Sequence, residues 1–269
     1  MTTFKEIRGT DILSLSSDPT NPEVGQIWYN NTIGVLKGNQ LVAAAWASGG
    51  SMSTARQQLS GFGIQTAAVG TGGETTVVVG NTESYNGSTW TASGNLGTAR
   101  RGLAGCGIQT AGLAFGGFTT AVTAATESFN GTSWTAGGNL NTARFLIAGA
   151  GIQTAGLAFG NTTQTELYNG TSWTVGGNLN TGRRYLAGAG TQTAGLAAGG
   201  YTTTQVANTE EYDGSSWTNS TNLTTARFLL GGAGTKTAGL VFGGAAPSNT
   251  AVTEAYTGAY NSTKKITTS

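Results

Sequence analysis

The sequence predicts an all-β fold built from repeated sheets of short antiparallel strands. A tryptophan recurs at intervals of 44, 44, 39 and 44 residues, and an arginine stands ten residues after each one. The apolar runs between them are short and are bounded by glycines, which make up 45 of the 269 residues. No apolar stripe with the 3.6-residue period of a helix is visible, so each repeat is expected to hold several strands. Such sheets, set radially around an axis, form a β-propeller.

The elements of one repeat follow a fixed order. Each repeat opens with an arginine that ends a Thr-Ala-Arg or Thr-Gly-Arg triplet, and a run of small residues after it predicts a first strand in a crowded place. A second apolar run ends in a glycine pair, a third run carries a Thr-Glu-x-(Tyr/Phe) motif, and a fourth opens with the tryptophan. The recurring residues are Arg56, Arg100, Arg144, Arg183 and Arg227; Glu83, Glu127, Glu166, Glu210 and Glu254; and Trp46, Trp90, Trp134, Trp173 and Trp217.

These motifs resemble the kelch repeat of β-propellers. In the second repeat, Arg100, Gly116-Gly117, Glu127-x-Phe129 and Trp134 occupy in order the places of the kelch motif, and the resemblance covers about residues 41 to 260. It implies an inner strand after each arginine, a second strand ending at the glycine pair, a third carrying the Tyr or Phe, and a fourth opening with the Trp. The chain departs from the kelch pattern in its shorter repeat and in a third repeat that is shorter still.

Counting the motifs predicts five blades. Four repeats run complete from arginine to tryptophan, whereas the fifth, which begins at Arg227, has Asn261 where a tryptophan should stand. Trp46 in turn lacks the Glu and Tyr that precede the other repeat tryptophans, and Asn39 and Leu41 occupy those places. We therefore expect the strand at residues 41–46 to supply the fourth strand of the last blade, which closes the ring and removes its open edges. The predicted domains are an arm and hairpin at 1–40, a five-bladed propeller at 41–262 and a tail at 263–269.

The composition excludes most catalytic and metal chemistry. The chain has no histidine, a single cysteine and a net charge of +1, so it lacks an imidazole base, a zinc cluster and a basic surface for nucleic acid. Nothing in it resembles a signal peptide, and no run of 18 apolar residues predicts membrane insertion. We expect a non-enzymatic protein with no catalytic residue, no cofactor and no metal.

The repeated charged and aromatic residues are expected to be structural, because a residue needed by every blade appears in every blade. We expect each repeat arginine to be partly buried and paired with a repeat glutamate or with loop carbonyls. The tryptophans are expected to pack between blades. Cys106 stands where other repeats have Ala150, Ala189, Ala233 or Phe62, so it is expected to fill core space rather than to act as a nucleophile. A ring of binding ion pairs and a lectin-like stacking role for one aromatic residue are the alternatives.

The loops that follow the glycine pairs differ most between repeats and are the candidate contact surface. They carry Phe118 and Tyr201, which are expected to be exposed, and the loop of the third repeat is about five residues shorter and predicts a notch. Outside the repeat pairs, residues 54–252 hold only six charged residues, which are Glu74, Arg101, Arg184, Glu211, Asp213 and Lys236.

The N-terminal segment differs from the repeats and suggests a biological setting. Residues 25–40 alternate and turn like a β-hairpin. The pattern PxxGQIWYN-x-x-x-G-x-L-K-G at residues 22–38 resembles segments of bacteriophage tail-fibre and other virion structural proteins, as do the Asn-Gly-Thr-Ser-Trp-Thr units. The resemblance implies a non-enzymatic decoration or fibre protein of a phage virion, made in the host cytoplasm, that is anchored to other virion proteins through residues 1–40. A carbohydrate-binding lectin or adhesin is the alternative, and an intracellular kelch-type adaptor a third possibility. Host surface glycans and other copies of the chain are the further candidate partners.

Overall fold

The computed structural model describes residues 12–21, 26–38 and 48–258. The chain divides into two units, residues Met1–Ser48 and Gly49–Ser269. Within the described residues every element of regular secondary structure is a β-strand, which confirms the all-β class. The predicted closing strand at 41–46 with Trp46, the predicted domain boundaries near residues 40 and 262, Asn261 and the tail at 263–269 lie outside the described residues.

The first unit holds a small three-stranded sheet. Its strands are β1 (Leu13–Leu15), β2 (Ile27–Asn30) and β3 (Val35–Gly38). Strands β2 and β3 pair antiparallel and form the hairpin that the alternating sequence predicts, and β1 adds to it in parallel. The Asp18 carboxylate accepts hydrogen bonds from Trp28 Nε1 at 3.0 Å and Asn30 Nδ2 at 2.9 Å, and it pairs with Lys37 Nζ at 2.6 Å. These contacts tie the segment after β1 to both strands of the hairpin.

The second unit contains five sheets, one from each repeat. The first four sheets have four strands each, and three strands of the fifth are described. In chain order they are β4 (Ser60–Ile64), β5 (Ala67–Thr71), β6 (Thr82–Tyr85) and β7 (Trp90–Ser93); β8 (Ala104–Ile108), β9 (Ala111–Phe115), β10 (Thr126–Phe129) and β11 (Trp134–Ala136); β12 (Ala148–Ile152), β13 (Ala155–Phe159), β14 (Thr165–Tyr168) and β15 (Trp173–Val175); β16 (Ala187–Thr191), β17 (Ala194–Ala198), β18 (Thr209–Tyr212) and β19 (Trp217–Asn219); and β20 (Gly231–Gly234), β21 (Ala238–Phe242) and β22 (Thr253–Thr257). Every sheet is an antiparallel meander, which confirms the repeated four-stranded unit.

Local sequence explains the turns within each sheet. In the second repeat, two residues join β8 to β9, and Gly107 before them adopts a φ of 108°, which glycine tolerates without steric cost. Between β10 and β11, Asn130 Oδ1 accepts the backbone N–H groups of Thr132 and Ser133 at 3.0 and 2.9 Å. This side-chain cap stabilises a tight turn. The recurring Asn-Gly-Thr-Ser motif before the tryptophan is therefore the signature of a turn.

The five sheets follow one another with their first strands in contact, so that β4 packs on β8, β8 on β12, β12 on β16 and β16 on β20. The small residues of these strands allow the close approach. A Cβ atom added to Gly188 would lie 2.9 Å from the carbonyl oxygen of Gly149, and one added to Gly232 would lie 3.0 Å from that of Gly188. Larger side chains at these two glycines would force neighbouring first strands apart.

Aromatic residues fill the space between neighbouring sheets. The rings of Phe115 and Trp173 lie 4.8 Å apart between the second and third sheets, and those of Phe159 and Trp217 lie 4.9 Å apart between the third and fourth. Each of three tryptophans also donates its indole N–H to a threonine of the preceding sheet at 2.9 Å, in the pairs Trp134 to Thr82, Trp173 to Thr126 and Trp217 to Thr165. The tryptophan that opens a fourth strand thus ties its sheet to the one before it.

Candidate functional site

The structure pairs every repeat arginine with the repeat glutamate of the same sheet. The guanidinium-to-carboxylate distances are 2.6 Å for Arg56–Glu83, 3.2 Å for Arg100–Glu127, 2.8 Å for Arg144–Glu166 and 2.9 Å for Arg227–Glu254, and Arg183 and Glu210 form the fifth pair. All five arginine side chains are at most 1% exposed. These groups are therefore closed to a ligand from solvent.

Each glutamate also fixes the loop that leads into its own repeat. The residue seven positions after each tryptophan donates its backbone N–H to the glutamate, at 2.7 Å from Ser53 to Glu83 and at 2.6 Å from Asn180 to Glu210. Gly97, Asn141 and Thr224 make the same bond in the other repeats. The sequence motifs contain no signal for this backbone donor. One carboxylate thus neutralises a buried cation and holds a loop in place.

Burial and these hydrogen bonds oppose each other in setting the pKa values. Burial lowers the pKa of the Arg183 guanidinium, while the hydrogen bond and the charge of Glu210 oppose that shift. Burial alone would raise the pKa of Glu83, but the hydrogen bonds from Ser53 and the hydrogen bond and charge of Arg56 lower it below its usual value. The pKa of Glu254 is lowered in the same way by Thr224 and Arg227. These carboxylates stay ionised where an ordinary glutamate begins to protonate.

We expect the stability of the fold to be insensitive to pH near neutrality and to fall in acid. A carboxyl group whose pKa is lower in the folded than in the unfolded chain stabilises the fold above its ordinary pKa, and this contribution is lost as the pH falls through the folded-state value. The chain has no histidine, so the free energy of unfolding should be nearly constant from about pH 6 to 8 and should decrease below about pH 4. Urea unfolding followed by tryptophan fluorescence across this range measures it, and a marked loss between pH 6 and 8 would contradict the prediction.

Cys106 lies in the core between the second and third sheets. Its side chain is buried, its Sγ lies 3.8 Å from the carbonyl oxygen of Ile152, and burial raises the pKa of the thiol to about 12. A thiol with such a pKa is almost entirely protonated near neutral pH and is a poor nucleophile.

Phe118 and Tyr201 are half-buried, and the expectation that they are exposed is wrong. Each follows the glycine pair of its repeat and forms an isolated bridge with the residue after a repeat arginine, Phe118 with Arg101 and Tyr201 with Arg184. The Phe118 ring also lies 5.8 Å from that of Phe145, and the Tyr201 ring lies 5.3 Å from that of Phe228. The next repeat supplies these second partners, and the guanidinium groups of Arg101 and Arg184 lie over the Phe118 and Tyr201 rings, respectively.

A pocket of about 540 Å³ lies where the five repeats meet at the start of their first strands. Its lining comes from all five repeats and comprises residues 57–59, 102–103, 146–147, 185–186 and 229–231. The backbone around it is joined from one repeat to the next by four hydrogen bonds between the residues two positions after each arginine. Gly102 N donates to Gln58 O at 2.8 Å, Leu146 N to Gly102 O at 2.7 Å, Tyr185 N to Leu146 O at 3.0 Å and Leu229 N to Tyr185 O at 3.0 Å. We call this space the shared pocket.

The residues of that hydrogen-bonded chain adopt a left-handed backbone. Their φ angles are 52° at Gln58, 60° at Gly102, 57° at Leu146, 56° at Tyr185 and 59° at Leu229. Such angles are uncommon for residues other than glycine and cost about 1 kcal/mol or more each. In this glycine-rich chain only the second repeat uses glycine at this position, so the other four carry side chains against the backbone preference.

The described residues contain no group of three or more His, Cys, Asp or Glu side chains that could hold a metal ion. No helix long and apolar enough to cross a membrane occurs in the same part of the chain. No protein-family model matches the sequence, and no curated protein matches it significantly.

Proposed function

We propose that residues 41–262 form a closed five-bladed β-propeller in which the strand at 41–46 completes the last blade. Three features of the second unit support this arrangement. The first strands pack in succession, the shared pocket draws residues from all five repeats, and a second pocket of about 850 Å³ is lined by small residues of all five first strands. A radial arrangement of the sheets accounts for all three.

A pocket between the fourth and fifth sheets, which we call the tryptophan socket, supports the closing strand. The threonine that opens the third strand of a sheet accepts the indole N–H of the following sheet's tryptophan in three cases. In the fourth sheet this residue is Thr209, whose buried Oγ1 has no hydrogen-bond partner among the described residues. A pocket of about 240 Å³ opens beside it, lined by residues including Leu196, Leu223, Val241 and Tyr256. The socket therefore offers an apolar wall and one unpaired acceptor, which is what an indole needs.

We assign Trp46 to this socket from its place in the repeat. It stands ten residues before Arg56, as the other repeat tryptophans stand before their arginines. The outer strand of the fifth sheet, β22, has no fourth strand beside it among the described residues. Pairing residues 41–46 with β22 would complete this sheet and would place Trp46 next to Thr209.

The protein so formed is a non-enzymatic structural component of a phage virion that presents the propeller for attachment or interaction. The observation that carries the non-enzymatic part is the burial of all five repeat arginines, each paired with the glutamate of its own repeat, which leaves a surface rich in Thr, Ser, Asn and Gly. The virion setting rests on the resemblance of residues 22–38 and of the Asn-Gly-Thr-Ser-Trp-Thr units to phage structural proteins. Residues 1–40 would contact other virion proteins.

The test is whether the protein is present in purified particles and at what copy number. Quantitative mass spectrometry of density-purified particles should find it at a fixed ratio to the major capsid protein. Its absence from particles, with the protein present in the infected lysate, would contradict a virion role.

A further inference from the structure

One cation on the surface of the repeats, Arg184, has no carboxylate partner among the residues that the structure describes. Of the six charged residues at 54–252 outside the repeat pairs, Arg101 pairs with Glu74 at 3.2 Å and Lys236 lies 3.8 Å from Glu211. The Asp213 carboxylate caps its own turn by accepting hydrogen bonds from the backbone N–H groups of Ser215 and Ser216. Arg184 is exposed, and no carboxylate of the described chain lies within 4 Å of it.

The third repeat supplies no carboxylate to Arg184. Arg184 occupies in the fourth repeat the place that Arg101 occupies in the second, directly after the buried repeat arginine. Arg101 receives its partner from the preceding repeat, where Glu74 follows the glycine pair. The repeat before Arg184 has Gly160-Asn161 and the shortened loop, and Asn161 Nδ2 instead donates to the backbone carbonyl oxygen of Phe145 at 2.8 Å. No residue of the third repeat thus takes the place of Glu74 beside Arg184, and the full-length loops carry Phe118, Tyr201 and Ala245 at that place.

Two tyrosine rings lie close to the guanidinium of Arg184. The Arg184 guanidinium carbon lies 5.9 Å from the centre of the Tyr185 ring and 5.4 Å from that of Tyr201. The Phe228 ring lies 5.9 Å from Tyr185 and 5.3 Å from Tyr201. Tyr185 also lines the shared pocket. The guanidinium of Arg184 therefore lies next to a residue of the pocket wall.

The left-handed backbone at Tyr185 is a feature of the repeat. Its φ of 56° favours glycine, and Gly102 occupies the equivalent position of the second repeat with a φ of 60°. Gln58, Leu146 and Leu229 have the same conformation at the equivalent positions, so what distinguishes Tyr185 is its aromatic side chain next to Arg184.

We propose that Arg184, Tyr185 and the shared pocket bind a saccharide that carries a carboxylate. The Arg184 guanidinium would hold the carboxylate through paired N–H donors, and the apolar face of the sugar ring would lie on the Tyr185 ring. The amide of Gln57 on the pocket wall offers donors and an acceptor to hydroxyl groups. The volume of about 540 Å³ lies within the range of small-ligand sites. This inference rests on the proposed attachment function and names its ligand class.

The same geometry disfavours an extended peptide as the ligand. Peptides commonly bind by adding a strand to a free sheet edge, which requires unpaired backbone donors and acceptors. Around the shared pocket, backbone groups of all five repeats take part in the four hydrogen bonds that link one repeat to the next. Recognition there must depend on side chains, which suits a compact ligand with one charge and several hydroxyl groups.

The test is the binding of defined oligosaccharides to the full chain by isothermal titration calorimetry. Oligosaccharides ending in N-acetylneuraminate or glucuronate should bind, and the same backbones ending in galactose should not. Arg184→Gln should weaken the binding by about tenfold or more, the usual effect of losing a charge-assisted hydrogen bond. Arg101→Gln removes the equivalent but carboxylate-paired cation and should leave the affinity within about twofold. Binding should also weaken as salt is raised.

Four outcomes would overturn the inference. They are no binding of either acidic sugar by the wild-type chain, equal binding of the galactose-terminated control, an Arg184→Gln affinity equal to wild type, and equal binding of a hexaglutamate peptide. Circular dichroism and thermal unfolding of both variants show that any loss is not a loss of fold. Presence in particles is measured separately. If the protein is found in particles but does not bind acidic sugars, only this inference has failed. If it binds acidic sugars but is absent from particles, only the virion role has failed.

Discussion

Replacing Glu210 by glutamine is expected to lower the free energy of unfolding by about 3 to 5 kcal/mol. Both side chains of the Arg183–Glu210 pair are fully buried, and removal of one partner leaves an uncompensated charge in the interior. Arg183 also donates to the carbonyl oxygens of Gly199 at 2.8 Å and Thr181 at 3.0 Å, so it is held in place and cannot turn towards water. Urea unfolding monitored by tryptophan fluorescence gives the change.

Glu74→Gln is the matched control for this prediction. It also removes the carboxylate partner of an arginine, but the Arg101–Glu74 pair is 29% and 24% exposed. Pairs that reach solvent contribute at most about 1 kcal/mol, so the two variants should differ severalfold in their effect. Equal losses would show that burial does not decide the cost. Replacing Arg183 by Met and Glu210 by Leu together should cost less than Glu210→Gln alone, because no buried charge then remains.

The strand order within a repeat could be predicted because each element has a local signature. The glycine pair follows the second strand, Thr-Glu opens the third, and in the second repeat Phe129 pairs directly with Trp134 across the turn capped by Asn130. Turn residues and alternation act over a few neighbours, so they are legible in the sequence. The same repetition suggested that the charged residues are structural, since they recur in every repeat.

The surroundings of the shared pocket could not be predicted in this way. The left-handed backbone at Leu146 and Tyr185 contradicts the preference of these residues, and their backbone hydrogen bonds come from the neighbouring repeats, about 40 residues away. The half-burial of Phe118 likewise depends on Phe145 of the next repeat. Contacts of this range are set by how the sheets pack, which local propensity does not encode.

One signal for the Arg184 site was present in the sequence. Glu74 and Arg101 are both outside the repeat pairs, and an alignment of the repeats places Arg184 beside the shortened loop with no acidic residue at the position of Glu74. The meaning of this missing carboxylate is visible only in the structure, because the Arg101–Glu74 pair shows that a residue after the glycine pair reaches the next repeat.

Replacing Trp46 by alanine is expected to lower the free energy of unfolding by about 3 to 5 kcal/mol, the usual cost of removing a large buried aromatic side chain. Under the proposed closure, Trp46 fills the socket beside Thr209 and ties the last sheet to the fourth. The established counterpart is Trp217, which is buried and donates to Thr165 at 2.9 Å. Trp217→Ala therefore gives the loss to which Trp46→Ala is compared. A Trp46→Ala variant as stable as the wild type would show that the tryptophan does not occupy the socket.

Thr209→Val tests whether Trp46 occupies the socket. If Trp46 donates its indole N–H to Thr209, the valine leaves that donor buried without an acceptor and should cost about 1 to 3 kcal/mol, as Thr165→Val should cost for Trp217. If the socket is empty, valine removes an unpaired buried hydroxyl and should be neutral or stabilising. In a Trp46→Ala background the cost of Thr209→Val should vanish, since the two residues then no longer interact, and this coupling in a double-mutant cycle assigns the contact to this pair. Additive losses would mean that the ring is closed by some other contact, or that it is not closed by residues 41–46.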